Sequence, residues 1–598
     1  MKKPLKMKGA GVVLLCAVVL SACNGNKDTA ATASAEATTA AATTAKTVST
    51  TSTKAATTDV IQKVEYAADD AYTDWASANP TKIALSGTSA TFEGKGAEVK
   101  DGKITITAAG TYVVSGKLDE GQIVVKVKDK GIVRLVLNGA EIHNSTTSSI
   151  YVEEAGKTIL SLQAGTSNLV SDGKTYVYLD ASTDEPNAAI FSKDDLTING
   201  TGKLVVQGNF NNGITSKDKL KITSGNLDIH AVDNGLMGKD LVAVQAGTFT
   251  IAAAEGHGIK TSNDKEGEEG YISLAGGSFN ITSGKDALHS SGGLDVSGGD
   301  LKINAGDDGI HADISLAIAG GTIDIGQSNE GIEAPAIVIS GGSTSVVSAD
   351  DGVNVSSGTG KSAEDGGAPA SGGAGGPGGG AGGRPGESGA NSSNMLTITG
   401  GFLSVESKGD GLDSNGSITM SGGTVVVNGP TENNNAALDY DGTFVMTGGF
   451  LVAAGSSGMV QATSDTSTQA GVLMTYTKAQ QAGALVHLTD STGHTVITFA
   501  PSKNYQSVFI SSPNVKKDAS YTLSSGGTAT GTSVKGLYED GGTYQGGTKV
   551  VDFKTSTLIT WLSETGVTEA RSGMMGGPGG GGGGMRPQGG GQRPQRAQ

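Results

Sequence analysis

Cysteine is nearly absent from this chain, with two in 598 residues, Cys16 and Cys23. A disulfide framework is therefore excluded, as is a multi-cysteine metal knuckle. Arginine is missing altogether from residues 187–383, so no stretch there offers the clustered guanidinium groups that nucleic-acid phosphates or a lyase base would need. Aromatic residues make up 4%, and Tyr440 is the sole Tyr or Trp between positions 272 and 475, which leaves little for sugar stacking. Runs with helical spacing are scarce, and beyond the first twenty residues no segment is long and apolar enough to cross a bilayer. Positive charge is in deficit too, the formal net charge being −16.

Glycine is what the chain has in excess, 95 residues of it, and it falls on a beat. The module reads apolar-x-apolar-x-Gly-Gly-x-apolar-x-apolar, as in Leu294-Asp-Val-Ser-Gly-Gly-Asp-Leu-Lys-Ile303 and Ser417-Ile-Thr-Met-Ser-Gly-Gly-Thr-Val-Val-Val427. Its second (or lone) glycine stands at 202, 225, 247, 277, 299, 321, 342, 401, 423 and 449, with six of the nine gaps between 21 and 23 residues. A fixed period of this size marks a solenoid. Alternation of period two inside each module predicts strand-turn-strand, and the paired glycines suit a turn with positive φ. The fold expected is all-β: a parallel β-helix of ~22-residue coils, each burying its apolar side chains against its neighbours, closed by a C-terminal β cap or domain. A nonapeptide calcium β-roll is disfavoured, because the period is 22 and not nine.

The chain divides as follows. Residues 1–22 read as a secretory signal, with Lys2, Lys3, Lys6 and Lys8 before a short apolar core. Its end, Leu20-Ser-Ala-Cys23, resembles the bacterial lipobox, which implies cleavage before Cys23 and lipidation of that cysteine. Removing the segment takes the charge to −20. Residues 23–60 are an Ala/Thr/Ser-rich linker, 61–186 irregular N-terminal coils and a cap (with Glu65–Trp75 as a short capping helix), and 187–455 the regular coils. Within these, 357–394 is a Gly-rich loop of about 37 extra residues that accounts for the one gap of 59. Residues 456–570 form the C-terminal β unit, and 571–598 a Gly/Pro-rich tail.

Between the strand modules recurs a second element, acid/amide-Gly-apolar-x: Asp233-Asn-Gly-Leu, Gly256-His-Gly-Ile, Asp307-Asp-Gly-Ile-His311, Asn329-Glu-Gly-Ile-Glu333, Asp350-Asp-Gly-Val-Asn354, Asp410-Gly-Leu-Asp413. In a β-helix equivalent positions stack about 4.8 Å apart. One column would then hold Asn234, His257, Asp286, Asp308, Glu330, Asp351 and Asp410, and a second His289, His311, Glu333, Asn354, Asp413 and Asp439. Carboxylates that close repel strongly. Two readings are open. In one, calcium neutralises the columns through Asp286, Asp307, Asp308, Glu330, Glu333, Asp350, Asp351, Asn354, Asp410 and Asp413, whose oxygens suit its flexible coordination. In the other, Asp-Asp-Gly and its relatives are turn formers with solvated acids. Zinc is disfavoured because the histidines do not gather in threes.

Glu185-Pro-Asn-Ala-Ala-Ile-Phe-Ser-Lys-Asp-Asp-Leu-Thr-Ile-Asn-Gly, the upstream Ala164-Gly-Thr-Ser-Asn-Leu-Val-Ser-Asp-Gly-Lys-Thr-Tyr, the Asp-Asp-Gly-Ile coils and Phe499-Ala-Pro-Ser-Lys-Asn-Tyr-Gln-Ser resemble the bacterial family of carbohydrate-binding domain-containing β-helix proteins over roughly residues 80–540. The resemblance implies a right-handed parallel β-helix shaped like a pectate lyase, bound calcium, and affinity for acidic or plant cell-wall polysaccharide. Together these expectations describe a lipid-anchored protein on the extracellular face of the bacterial membrane, a monomer that binds polysaccharide without chemistry, touches the membrane only through its anchor and does not bind nucleic acid. A calcium-dependent lyase or hydrolase, built on Gly256-His-Gly-Ile-Lys260 or Asp307-Asp308, is the alternative; a purely structural adhesin is the third.

Overall fold

A computed structural model describes residues 63–356 and 394–570, apart from 179 and 181. The signal segment, Cys23, most of the linker, residues 357–393 of the Gly-rich loop and the tail lie outside these residues. The regular structure of the described residues is nearly all β, wound for most of its length as a parallel solenoid. One coil runs Gly293–Val296, Asp300–Ala305, Ile310–Ala312, and the next repeats it as Ser315–Ile318, Thr322–Gln327, Ile332–Glu333. Each coil therefore carries three strands. The sequence reading foresaw two, because it took the acid-Gly-apolar element for a connection. That element's apolar residue opens a short third strand, which stacks in register as Leu288, Ile310, Ile332, Val353, Leu412 and Leu438.

Why the strands stack follows from the alternation. Leu294, Val296, Leu301, Ile303 and Ile310 are each no more than 1% exposed, and their counterparts one coil later, Leu316, Ile318, Ile323, Ile325 and Ile332, are equally buried. Full burial of each such side chain is worth about 1.5–3 kcal/mol, so a coil gains its stability only when both neighbours are present. Phe249 and Phe279 stack in the same interior row at 4.5 Å.

Glycine serves two purposes here. At the turn between the first two strands, Gly299 and Gly321 have φ of +96° and +82°, a region costly for other residues. Before the third strand the reason is space: a Cβ on Gly309 would lie 2.6 Å from the Gly331 carbonyl oxygen and 2.7 Å from Ile325 Cδ1.

The Gly-rich loop leaves after Val353–Val355 and returns at Met395–Ile398, and Ile337 pairs with Leu396 across it, so the coils close as though it were absent. The shorter insertion between Ile259–Thr261 and Tyr271–Leu274 leaves the same corner. Parallel stacking extends upstream of residue 187: Ile123–Val125 pairs with Ile150–Val152, and Ile150 with Ile190. Among the described residues α-helix forms only over Ala68–Ala71, with 3-10 turns at Ala76–Ala78 and Glu539–Gly541. This segment lies along the outer side of the first sheet rather than over its end. Asp70, fully buried, takes hydrogen bonds from Lys157 Nζ and Thr197 Oγ1, both at 2.8 Å, and Asn199 and Thr223 bond its carbonyl.

At the far end Phe450–Gly455 meets Tyr505–Ser511 antiparallel, which stops the parallel stacking and covers a strand edge. Strands Val486–Asp490 and Thr495–Phe499 belong to a separate six-stranded sheet with its own apolar core around Leu488, Phe499 and Leu523.

Candidate metal centre

Both columns form. Along the first, the backbone N–H groups that follow Asn212, Asn234, His257, Asp286, Asp308, Glu330 and Asp351 bond the carbonyls of Asn234, His257, Asp286, Asp308, Glu330, Asp351 and Asp410 in turn. Along the second, strand pairing sets Lys260, His289, His311, Glu333, Asn354, Asp413 and Asp439 side by side. Residues of the two columns stand three positions apart, so the columns run alongside each other.

The first column has a job that the sequence alone did not reveal. Asp286 Oδ1 accepts the N–H of Asp308 at 3.0 Å, Asp308 Oδ1 that of Glu330 at 3.3 Å, and Asp351 Oδ1 that of Asp410 at 2.6 Å. Asp410 Oδ1 accepts from Ala436 N–H. Asn212 and Asn234 do the same for Asn234 and His257, at 3.1 and 3.0 Å. One oxygen of each aspartate thus satisfies the next coil's backbone, as the turn-chemistry reading requires. The other oxygen is available to the second column.

Ligand atoms of the two columns gather within 4.8 Å of one another in three overlapping groups, His257, Asp286 and His289; Asp286, Asp308 and His311; Asp308, Glu330 and Glu333, and in a separate fourth, Asp410, Asp413 and Asp439. Of the expected ligands, Asp286, Asp308, Glu330, Glu333, Asp410 and Asp413 are brought together in these groups, and Asp439 joins them. Asn354 lies against two of them, donating to Glu330 Oε2 at 2.7 Å while its own Oδ1 is buried without a hydrogen bond. Asp351 stands in the ladder. Asp307 and Asp350, one position upstream, are exposed and belong to none of the groups.

Among the described residues the histidines do not gather in threes as ligands, no group holding more than two, but His257, His289 and His311 form a row that the sequence reading did not foresee, with ring centroids 4.5 and 5.0 Å apart, the first pair tilted and the second stacked. The signal was present in the sequence, since His289 and His311 are 22 residues apart. It was missed because His257 falls in the other column and the two columns were read separately.

Electrostatics vary along the columns. Burial works against the charge on Asp286, but contacts with His257 and His289 outweigh it and hold the carboxyl well below its usual range. Burial keeps the His257 ring neutral, its value down at about 4. His311 is buried too, yet Asp308, Asp313 and Glu333, at 3.2, 3.0 and 2.9 Å, hold it protonated. Farther along, cations run out. Burial, with Glu333 beside it, pushes Glu330 up to about 8. Burial and the surrounding carboxylates push Asp410 up to about 7 and Asp413 up to about 8. Among the described residues no lysine, arginine or histidine forms an ion pair with Asp410, Asp413 or Asp439. Two full negative charges 4.8 Å apart would repel by about 3–4 kcal/mol at an effective dielectric constant of about 20.

The comparisons with known proteins bear on what such a surface serves. Residues 100–352 match the sequence pattern of the family described as carbohydrate-binding domain-containing protein. A protein of that description from Acetivibrio thermocellus is 37% identical over 193 residues, covering 32% of this chain and 67% of its own length. The chain belongs to this family. A solved structure of a polysaccharide lyase-like protein from C. thermocellum, studied as its gadolinium derivative, shares 34% identity, covering 40% of this chain and 97% of its own, with a TM-score of 0.39. The ligand class of the family is carbohydrate.

Proposed function

We propose that this chain is a lipid-anchored protein of the extracellular face of the bacterial membrane, which uses calcium held along its carboxylate columns to bind an acidic or plant cell-wall polysaccharide, as a monomer and without cleaving it. The observation that carries the reading is the group Asp410, Asp413 and Asp439: three partly buried carboxylates within 4.8 Å and no cation paired to them. All-oxygen donors with flexible spacing are calcium's preference, and Asp308, Glu330 and Glu333 form a second all-oxygen group upstream, although His311 pairs with two of its members. A calcium ion with part of its shell open can bridge this anionic protein to an anionic glycan. The corner from which both long insertions leave is the end of the third strand, just past the second column, and insertions in solenoids commonly lie on the binding face.

Support for binding over cleavage comes from the cations. The one arginine among the described residues, Arg134, is buried beside Tyr72 and Asp69, away from the columns. His257, the centre of the Gly-His-Gly fragment, is 7% exposed and cannot reach a chain at the surface as it stands. Affinity electrophoresis in gels containing polygalacturonate, with and without EDTA, tests the reading. Retardation that requires calcium is expected. Release of unsaturated or reducing ends with turnover would replace it with the lyase or hydrolase reading.

A further inference from the structure

The columns change chemistry along their length. From Glu330 onward the donors are oxygens alone, whereas the three coils before it carry imidazoles. Imidazole is a poor ligand for calcium and a good one for zinc, nickel or copper. His257 Nδ1, Asp286 Oδ2 and His289 Nδ1 converge on one point: the carboxylate oxygen lies 2.8 Å from His289 Nδ1 and 3.4 Å from His257 Nδ1. His257 is only 7% exposed, and its Nδ1 has no hydrogen-bond partner. A buried ring nitrogen left unpaired, aimed at a carboxylate and a second imidazole, is costly unless something occupies the space between them.

We infer that His257, Asp286 and His289 form a binding site for one divalent transition-metal ion of the zinc class, distinct from the all-oxygen groups downstream. In a tetrahedral site with bonds of about 2.0–2.1 Å, ligand atoms stand about 3.3 Å apart. The 3.4 Å separation already matches, and the 2.8 Å separation needs to open by about half an ångström as the metal replaces the hydrogen-bonded proton. Asp286 keeps its other oxygen on the Asp308 N–H, which fixes the carboxylate's orientation. His311 is not a ligand: both its nitrogens are taken by carboxylates, Nδ1 by Asp308 and Glu333 and Nε2 by Asp313. It supplies the far wall, its ring stacked on His289. Lys260 pairs with His289 in the strand register and adds positive charge nearby, which the carboxylates of Asp286, Asp308 and Asp313 offset. With three protein ligands and His289 partly exposed, the fourth position opens toward solvent. This inference does not depend on calcium binding downstream.

The test uses the full, untagged chain, stripped with chelator and then titrated with Zn²⁺ and with Co²⁺ as a spectroscopic probe. One zinc per chain should be retained after gel filtration, and Co²⁺ should give the intense visible bands of a tetrahedral site. His289→Ala, a change at a partly exposed position, should weaken zinc binding by more than about a hundredfold, since even outer partners of a metal ligand are worth 10–100-fold. His257→Asn, which keeps a polar side chain in the buried position, should do the same, while Asp413→Asn should leave zinc affinity unchanged. Calcium-dependent behaviour should survive both histidine changes. The inference falls if the wild-type chain retains no zinc, if Co²⁺ gives only a pale octahedral spectrum, or if His289→Ala binds zinc as tightly as the wild type.

Discussion

Asp413→Asn should stabilise the metal-free protein and lose much of that advantage when calcium is present. In the metal-free protein Asp413 shares a partly buried space with Asp410 and Asp439, and its carboxyl is pushed up to about 8 from an ordinary value of 3.8. Near pH 7.5 folding must either protonate it or hold it charged against its neighbours. At about 1.4 kcal/mol per pH interval, that burden reaches on the order of 5 kcal/mol as an upper bound, because the side chains can swing apart. Asparagine is nearly isosteric and carries no charge, so in EDTA the variant should be more stable than the wild type. With calcium at 100 times its Kd, the wild type gains about 2.7 kcal/mol per site, and the variant, lacking a ligand, gains little. About 470 described residues imply an unfolding entropy near 1 kcal/mol/K, so each kcal/mol moves Tm by about 1 °C. Differential scanning calorimetry should therefore place the variant up to a few degrees above the wild type in EDTA, and calcium should narrow that margin by about 3 °C. A variant whose melting temperature differs from the wild type's by the same amount in both conditions would show that Asp413 takes no part in holding an ion, and the calcium reading would lose its main support.

Further expectations can be checked separately. Carboxyls raised in the folded state bind more protons there than in the unfolded chain between their ordinary value and about 8, so metal-free stability should fall as pH rises from 5 to 8; melting scans across that range should show the slope, and calcium should flatten it. Asp70→Ala should cost about 3–5 kcal/mol, because it strands Lys157, and limited proteolysis should then cut the chain near residues 63–75 first. Gly309→Ala should cost about 3 kcal/mol or more by calorimetry through overlap with Gly331 O and Ile325 Cδ1, whereas Gly165→Ala meets no atom within 4 Å and carries only the strain of its φ of +76°. Cys23→Ala should move the protein from the membrane fraction to the medium; retention in membranes would place the anchor elsewhere.

The coil length and the membership of both columns were legible in the sequence because they depend on one quantity, the spacing. A period of 22 with alternating apolar residues leaves no other way to bury Leu294, Leu316, Ile337 and Leu396 in one row, and the same arithmetic stacks Asp286 on Asp308 and His289 on His311. The third strand was not legible because it is two or three residues long, too short to show alternation, and its glycine reads as a turn. The direction of the 65–75 segment was hidden for another reason: Asp70 is held by Lys157, Thr197 and Thr223, contacts 87 to 153 residues distant that no local pattern announces.

What each acid does also could not be read from its type. Asp308 and Asp351 are alike in sequence context, and each spends one oxygen on the next coil's N–H. Asp308's remaining oxygen meets a protonated histidine, yet burial, with Asp286 and Glu333 nearby, still pushes its carboxyl up to about 7, while Asp351 lies among carboxylates with no cation paired to it among the described residues and is pushed up to about 6 by burial and by Asp350 and Asp439. The difference is set by which residues occupy the second column on the same and adjacent coils: His311 and Glu333 at one, Asn354 and Asp413 at the other. Substituting in the second column should therefore retune the first. Glu333→His would place a third imidazole below His289 and His311 and extend nitrogen donors into the coil where oxygens now begin. Calcium affinity should fall, zinc stoichiometry measured by elemental analysis should rise from one toward two, and an unchanged metal content would mean that the columns do not act on each other at all.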